Sequence, residues 1–153
     1  MRKGIRNCIR WRTTAVTLCA AWTSFASAQN SAPTVSIRHI SSSYINRGMC
    51  SLGFGIGSLA GEGFSGDISI KLRFVSPDGK TLHQDEIATT LDDSESGRYR
   101  EVFIEDEKVC FEASTRVHVT NATATVGKRK INLLKSKKLV VDEFKPMTII
   151  VPR

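Results

Sequence analysis

Apolar and polar residues alternate most cleanly at Ile68, Ile70, Leu72 and Phe74, which interleave with Ser69, Lys71 and Arg73. A period of two gathers the apolar set on one face, so the segment predicts a strand with one buried and one wet side. Ser76-Pro77-Asp78-Gly79 follows as a tight turn, because proline presets φ and glycine admits positive φ. Residues 81–87 return as the partner strand of a hairpin. Residues 50–59 predict a strand of another kind, with Leu52, Phe54 and Ile56 on one face and Gly53, Gly55 and Gly57 on the other. A glycine face lets a second backbone or a large side chain approach closely.

The rest of the chain follows the same grammar. Residues 34–45 read as a strand through Val35 and Ile37, with Arg38 and Ile40 marking a switch of face or a bulge before Ser41-Ser42-Ser43. Residues 91–97 read as a polar loop and residues 99–104 as a short strand. Residues 109–111, with Ala113, begin a longer strand that carries Cys110. Threonine and valine dominate residues 115–126 and favour strand over helix. Gly127-Lys128-Arg129-Lys130 turns that strand into residues 131–134. Residues 139–141 and 147–151 complete the set, with Pro146 fitting a strand start or an edge. Seven or eight short strands and no helical pattern predict an all-β domain, an immunoglobulin/fibronectin III-like antiparallel β-sandwich.

The amino terminus changes how composition is read. Arg2, Lys3, Arg6, Arg10 and Arg12 precede an apolar stretch over residues 13–25, too short to span a bilayer, and Ala26-Ser27-Ala28 has the small-x-small form of a cleavage site. Residues 1–28 are therefore expected to be a cleaved signal peptide, leaving residues 29–153 as one domain, periplasmic or secreted, without stable membrane insertion. The five basic leader residues account for most of the formal charge of +7, and the remainder carries 17 Lys and Arg against 15 Asp and Glu. So small a balance lacks the basic footprint of a nucleic-acid binder. Charge is segregated instead: residues 62–112 hold 13 acidic and 6 basic side chains, residues 113–153 hold 9 basic and 2 acidic. Two readings stay open, pairing between adjacent strands or two surfaces of opposite sign.

Cys8 and Cys19 leave with the leader, so Cys50 and Cys110 are expected to pair in an oxidising compartment. Neither has the neighbouring histidine or helix start that would make a reactive thiol. His39, His83 and His118 are too scattered to read as metal ligands. The glycines from Gly53 to Gly66 lack the Lys-Ser/Thr ending of a phosphate loop. Asp92, Asp93 and Glu95 do not fit an EF-hand, and a solvated loop is the simpler reading. His83 and Asp85 fall by alternation on one exposed face of the hairpin, where a catalytic pair is not expected. No metal, cofactor or catalytic residue is assigned.

The cysteine spacing is like that of the inter-sheet bridge in immunoglobulin-like domains, but no tryptophan follows Cys50 and Lys108 stands two before Cys110 where a tyrosine is usual. Both departures argue against an antibody-type domain and leave the wider sandwich class open. At a finer level the chain resembles the small exported bacterial family named after interleukin receptor mimic protein A. The resemblance rests on the leader, the domain size, Cys50, the run Gly66-Asp67-Ile68-Ser69-Ile70-Lys71-Leu72-Arg73 leading to Asp78-Gly79, and Cys110 before a Val/Thr-rich strand. It implies a fibronectin III-like sandwich, dimeric, that mimics a cytokine-receptor module and binds host interleukin receptors. Expected contacts with a protein partner are Tyr44, Phe64 and Tyr99 as aromatic anchors and Lys128, Arg129 and Lys130 for an acidic surface. A second reading is an envelope structural or assembly component that pairs by strand addition, or as a strand-swapped homodimer, through residues 34–45 or 147–151.

Overall fold

The computed structural model describes residues 34–59, 65–94, 97–112, 114–142 and 147–152. The expected leader and Phe64 lie outside them. Among the described residues nine strands form: β1 (Val35–Asn46), β2 (Met49–Ser58), β3 (Gly66–Val75), β4 (Thr81–Leu91), β5 (Tyr99–Asp106), β6 (Arg116–Val126), β7 (Arg129–Asn132), β8 (Leu139–Val141) and β9 (Thr148–Ile150). One sheet runs β5-β2-β1-β8 and the other β4-β3-β6-β7, with β9 also alongside β6. The all-β sandwich predicted from alternation is therefore the architecture. Its sheets are mixed, however, because β8 pairs parallel with β1 and β9 parallel with β6. These last two strands go to edges of different sheets, so they cannot form a hairpin with each other.

Alternation builds the core directly. Val35 and Ile37 of β1, Leu52, Phe54 and Ile56 of β2, and Ile68, Ile70, Leu72 and Phe74 of β3 are all buried. Phe54 and Phe74 meet across the sandwich with ring centroids 6.4 Å apart. Each fully buried side chain of this size contributes about 1.5–3 kcal/mol through removal from water. The register of β1 on β2 shifts between His39 and Ser41, the irregularity expected before the serine run.

His39 is the polar exception in this core. It is completely buried, edge-on to Phe54 at 5.5 Å, and its Nδ1 accepts the Met147 backbone N–H at 3.3 Å. Nε2 lies 3.1 Å from the Ser42 hydroxyl. With Nδ1 already accepting, the neutral ring carries its proton on Nε2. Burial lowers the His39 pKa, partly opposed by a hydrogen bond to the Ser41 backbone. The ring thus ties β1 of one sheet to the residue that leads into β9 of the other.

Two segments depart from the sequence reading. Residues 109–111 do not begin a strand, and Ala113 lies outside the described residues; Asp106 accepts the Lys108 backbone N–H at 2.8 Å and starts a short 3-10 turn, Glu107–Val109. Cys110 then bonds to Cys50, closing a separation of 60 residues. His83 and Asp85 lie on the core-facing side of β4, not on its exposed face. The register pairs His83 with the buried Phe74 and Asp85 with the buried Leu72. His83 stacks on Phe74 at 6.0 Å and approaches Asp85 at 3.5 Å. Leu82 and Ile87 fall on opposite faces of β4, so only one can enter the core. Ile87 does, and Leu82 stays exposed.

β4 and β5 pack together along one flank of the sandwich. β8 and β9 face each other along the opposite flank across a crevice of about 670 Å3.

Candidate interaction surface

The outer face of the β5-β2-β1-β8 sheet is organised by the glycines of β2. Gly57 sits between Ser36 and Tyr99, Gly55 between Arg38 and Glu101, and Gly53 between Ser41 and Phe103. A Cβ placed on Gly55 would stand 2.8 Å from two ring carbons of Tyr99, and one on Gly53 3.0 Å from the Phe103 ring. Both distances are inside ordinary van der Waals contact, so the glycines are what allow these rings to lie down on the sheet. The close approach expected of a glycine face is realised by aromatic side chains from β5.

Arg38 completes this layer. Its guanidinium stands 4.9 Å from the Tyr99 ring centroid, its Nε donates to the Tyr99 hydroxyl at 3.4 Å, and its Nη1 lies 3.5 Å from Asp142. The hydrogen bond to Tyr99 raises the Arg38 pKa and keeps the cation fixed over the ring. Phe103 is 50% exposed and Val140, paired with Ser36 on β8, is 41% exposed. Glu101 and Glu105 flank Phe103 on the same side of β5, with the Ser51 hydroxyl 3.5 Å from Glu105. The result is an outer face with an exposed phenylalanine on edge strand β5 and an exposed valine on edge strand β8, with Tyr99 and Arg38 between them and carboxylates along β5, a composition suited to protein contact.

The structure places the other expected contacts apart from this face. Tyr44 is 68% exposed near the tip of the β1–β2 hairpin, and its hydroxyl accepts the Gly48 backbone N–H at 2.9 Å. That tip is a two-residue turn in which Arg47 and Gly48 both have positive φ, 49° and 86°. Tyr44 pairs with Cys50 and Tyr99 with Gly57, so the two tyrosines are roughly 20 Å apart along β2 at the usual strand rise. Lys128, Arg129 and Lys130 are exposed at the β6–β7 turn of the other sheet. The residues expected to act together are thus distributed over three separate surfaces. Phe103, Arg38 and Val140 were not singled out from sequence, although Gly53 and Gly55 signalled that large groups would cover them.

The acidic loop after β4 is internally bonded. Asp92 accepts the Ser94 backbone N–H at 2.9 Å and the Ser94 hydroxyl, and faces Arg100 at 3.4 Å. The Ser94 hydroxyl bond lowers the Asp92 pKa most. Among the described residues no three His, Cys, Asp or Glu side chains are grouped to hold a metal ion. Among them, too, no helix is long and apolar enough to cross a membrane.

The fold has solved relatives. IrmA from Escherichia coli superposes with a TM-score of 0.58 at 24% identity, over 78% of this chain and 100% of that one. A glycosyl hydrolase family 2 member from Bacteroides cellulosilyticus reaches only 0.36 at 13% identity, over 62% of this chain and 14% of its own. CsgH from R. palustris reaches 0.33 at 12%, over 64% and 87%. No curated protein sequence matches the chain. The family described as interleukin receptor mimic protein A, IrmA, matches residues 35–141, from the first strand of the sandwich to the last residue of β8. Covering well over half of the sequence, that match shows that the chain belongs to the IrmA family.

Proposed function

We propose that this chain is an exported, non-enzymatic protein-binding module that mimics a cytokine-receptor domain and engages host interleukin receptors. The observation that carries this reading is the family match across the sandwich. Residues 1–28 act as the cleaved leader, and the Cys50–Cys110 bond fits folding in an oxidising compartment. A receptor domain meets two kinds of partner, its interleukin and a second receptor chain, and a mimic inserts itself into such contacts. The Tyr99, Arg38 and Phe103 face and the Tyr44 tip are the surfaces offered for this contact. The Lys128-Arg129-Lys130 turn offers a complementary site for an acidic patch.

The test is binding of oxidised residues 29–153 to a panel of interleukin-receptor ectodomains, alone and with their interleukins. Reduced protein and Cys50→Ala serve as fold controls. Saturable binding that the controls lose supports receptor mimicry. Absence of binding by well-folded protein across the panel would move the weight to an envelope assembly role. The observation favouring that second reading is β9, held to β6 over only three residues and therefore able to exchange between two copies as a strand-swapped homodimer.

A further inference from the structure

We propose that Cys110 is a site of thiol addition, at which the thiolate of a small thiol-bearing peptide opens the Cys50–Cys110 bond without unfolding the sandwich. The two sulfurs are presented differently. Cys50 shares the core-facing parity of Leu52 and Phe54 on β2 and packs against the core, whereas Cys110 is exposed. The backbone makes that exposure a fixed feature: the Phe111 N–H donates to the Val109 carbonyl at 2.9 Å, and Cys110 between them has φ −76° and ψ 72°. This is an inverse γ-turn with Cys110 at its apex. Both shoulders are anchored, since Val109 is fully buried and Phe111 stacks on Phe74 with ring centroids 4.8 Å apart. With its neighbours held in the sandwich, the apex side chain is held outside it.

Access reinforces the asymmetry. A crevice of about 510 Å3 is walled by Pro77 and Leu82 of the β3–β4 hairpin and by Phe111, and it reaches Cys110 but not Cys50. A smaller one beneath Tyr44, of about 290 Å3, touches both cysteines. The larger crevice has the size of a small-molecule site. Leu82 and Phe111 offer it apolar contact, and Lys108 and Glu112 on the same wall offer opposite charges to the ends of a zwitterionic peptide. Disulfide exchange proceeds by thiolate attack on one sulfur, and access helps to decide which. The incoming sulfur bonds to Cys110 Sγ, the Cys50–Cys110 bond breaks, and its electron pair stays on Cys50. Cys50 then takes up the proton that the thiol gave up to water. The incoming thiol is oxidised to a mixed disulfide as Cys50 is reduced, so no further reactant is needed. A neutral Cys50 thiol, a small apolar group, suits its part-buried place.

The test exposes oxidised residues 29–153, which contain the whole compact unit Ser31–Arg153, to reduced glutathione for short times in native buffer. Acid stops the exchange, N-ethylmaleimide alkylates the freed thiol, and peptide mass mapping locates both groups. Glutathione on Cys110 with alkylated Cys50 is expected to exceed the reverse product severalfold. The same protein in urea above its unfolding transition should give the two products in comparable amounts, because neither sulfur is shielded there. Leu82→Trp, at a position 43% exposed, narrows the larger crevice. It should slow addition of glutathione severalfold while leaving the rate with the much smaller 2-mercaptoethanol nearly unchanged, circular dichroism confirming the fold. Addition to Cys50, equal addition to both sulfurs of the folded protein, or addition only where urea unfolds the chain overturns the proposal. So does a folded Leu82→Trp protein that reacts with glutathione at the parent rate.

Discussion

Adding one methyl group at Gly55 should destabilise the protein only while Tyr99 is present. In a strand, replacing glycine by alanine recovers about 0.5–1 kcal/mol of backbone entropy. Here the new Cβ would lie 2.8 Å from the Tyr99 ring, and Arg38 holds that ring from above through its stacking and its hydrogen bond. Lifting the ring by about 1 Å is overpacking of the kind that costs about 1–3 kcal/mol. Gly55→Ala is therefore expected to lose about 1 kcal/mol in the parent. In a Tyr99→Ala background the obstruction is gone, and the same change should gain about 0.5–1 kcal/mol. The difference is a coupling of about 1–3 kcal/mol, measurable by urea unfolding of the four proteins with the disulfide intact. Equal effects of the same sign in both backgrounds would refute the account of the glycine-floored face.

Three further outcomes are expected. His39 has a lowered pKa, so the unfolded chain takes up a proton near pH 6.5 before the folded chain does. Its contribution is complete above pH 6.5 and is lost as pH falls through the folded value; His39→Asn should remove that part of the stability slope between pH 7.5 and 5, and an unchanged slope would contradict the buried neutral ring. Breaking the Cys50–Cys110 bond by Cys50→Ala with Cys110→Ala releases a 60-residue closure and should cost up to about 4 kcal/mol, read as a lower urea midpoint. Phe54→Ala empties the space between His39 and Phe74 and should cost about 3–5 kcal/mol, with thermal unfolding as the readout.

The legible parts of the fold were those dictated by local pattern. Alternation from Ile68 to Phe74 gave β3, the Ser76–Gly79 turn gave its hairpin, and the glycine row on β2 foretold a tightly covered face. The Cys50–Cys110 pairing followed from the count of cysteines outside the expected leader. What escaped depended on choices between elements. Local pattern cannot decide whether Leu82 or Ile87 turns inward, and the register against Phe74 decides it by bringing His83 to the core side. Nor does it reveal that β8 and β9 join different sheets in parallel. Tyr44 and Tyr99 looked alike as exposed aromatics, and their places along β2 put them at different ends of one sheet.

The central claim is that the sandwich imitates a receptor domain, and competition tests it most directly. A labelled interleukin-receptor ectodomain bound to its interleukin would be challenged with rising amounts of oxidised residues 29–153. The account predicts saturable displacement, or capture of the chain into the complex in place of a receptor subunit, and loss of either effect in the reduced protein. Well-folded protein that neither enters nor disturbs any such complex would contradict it.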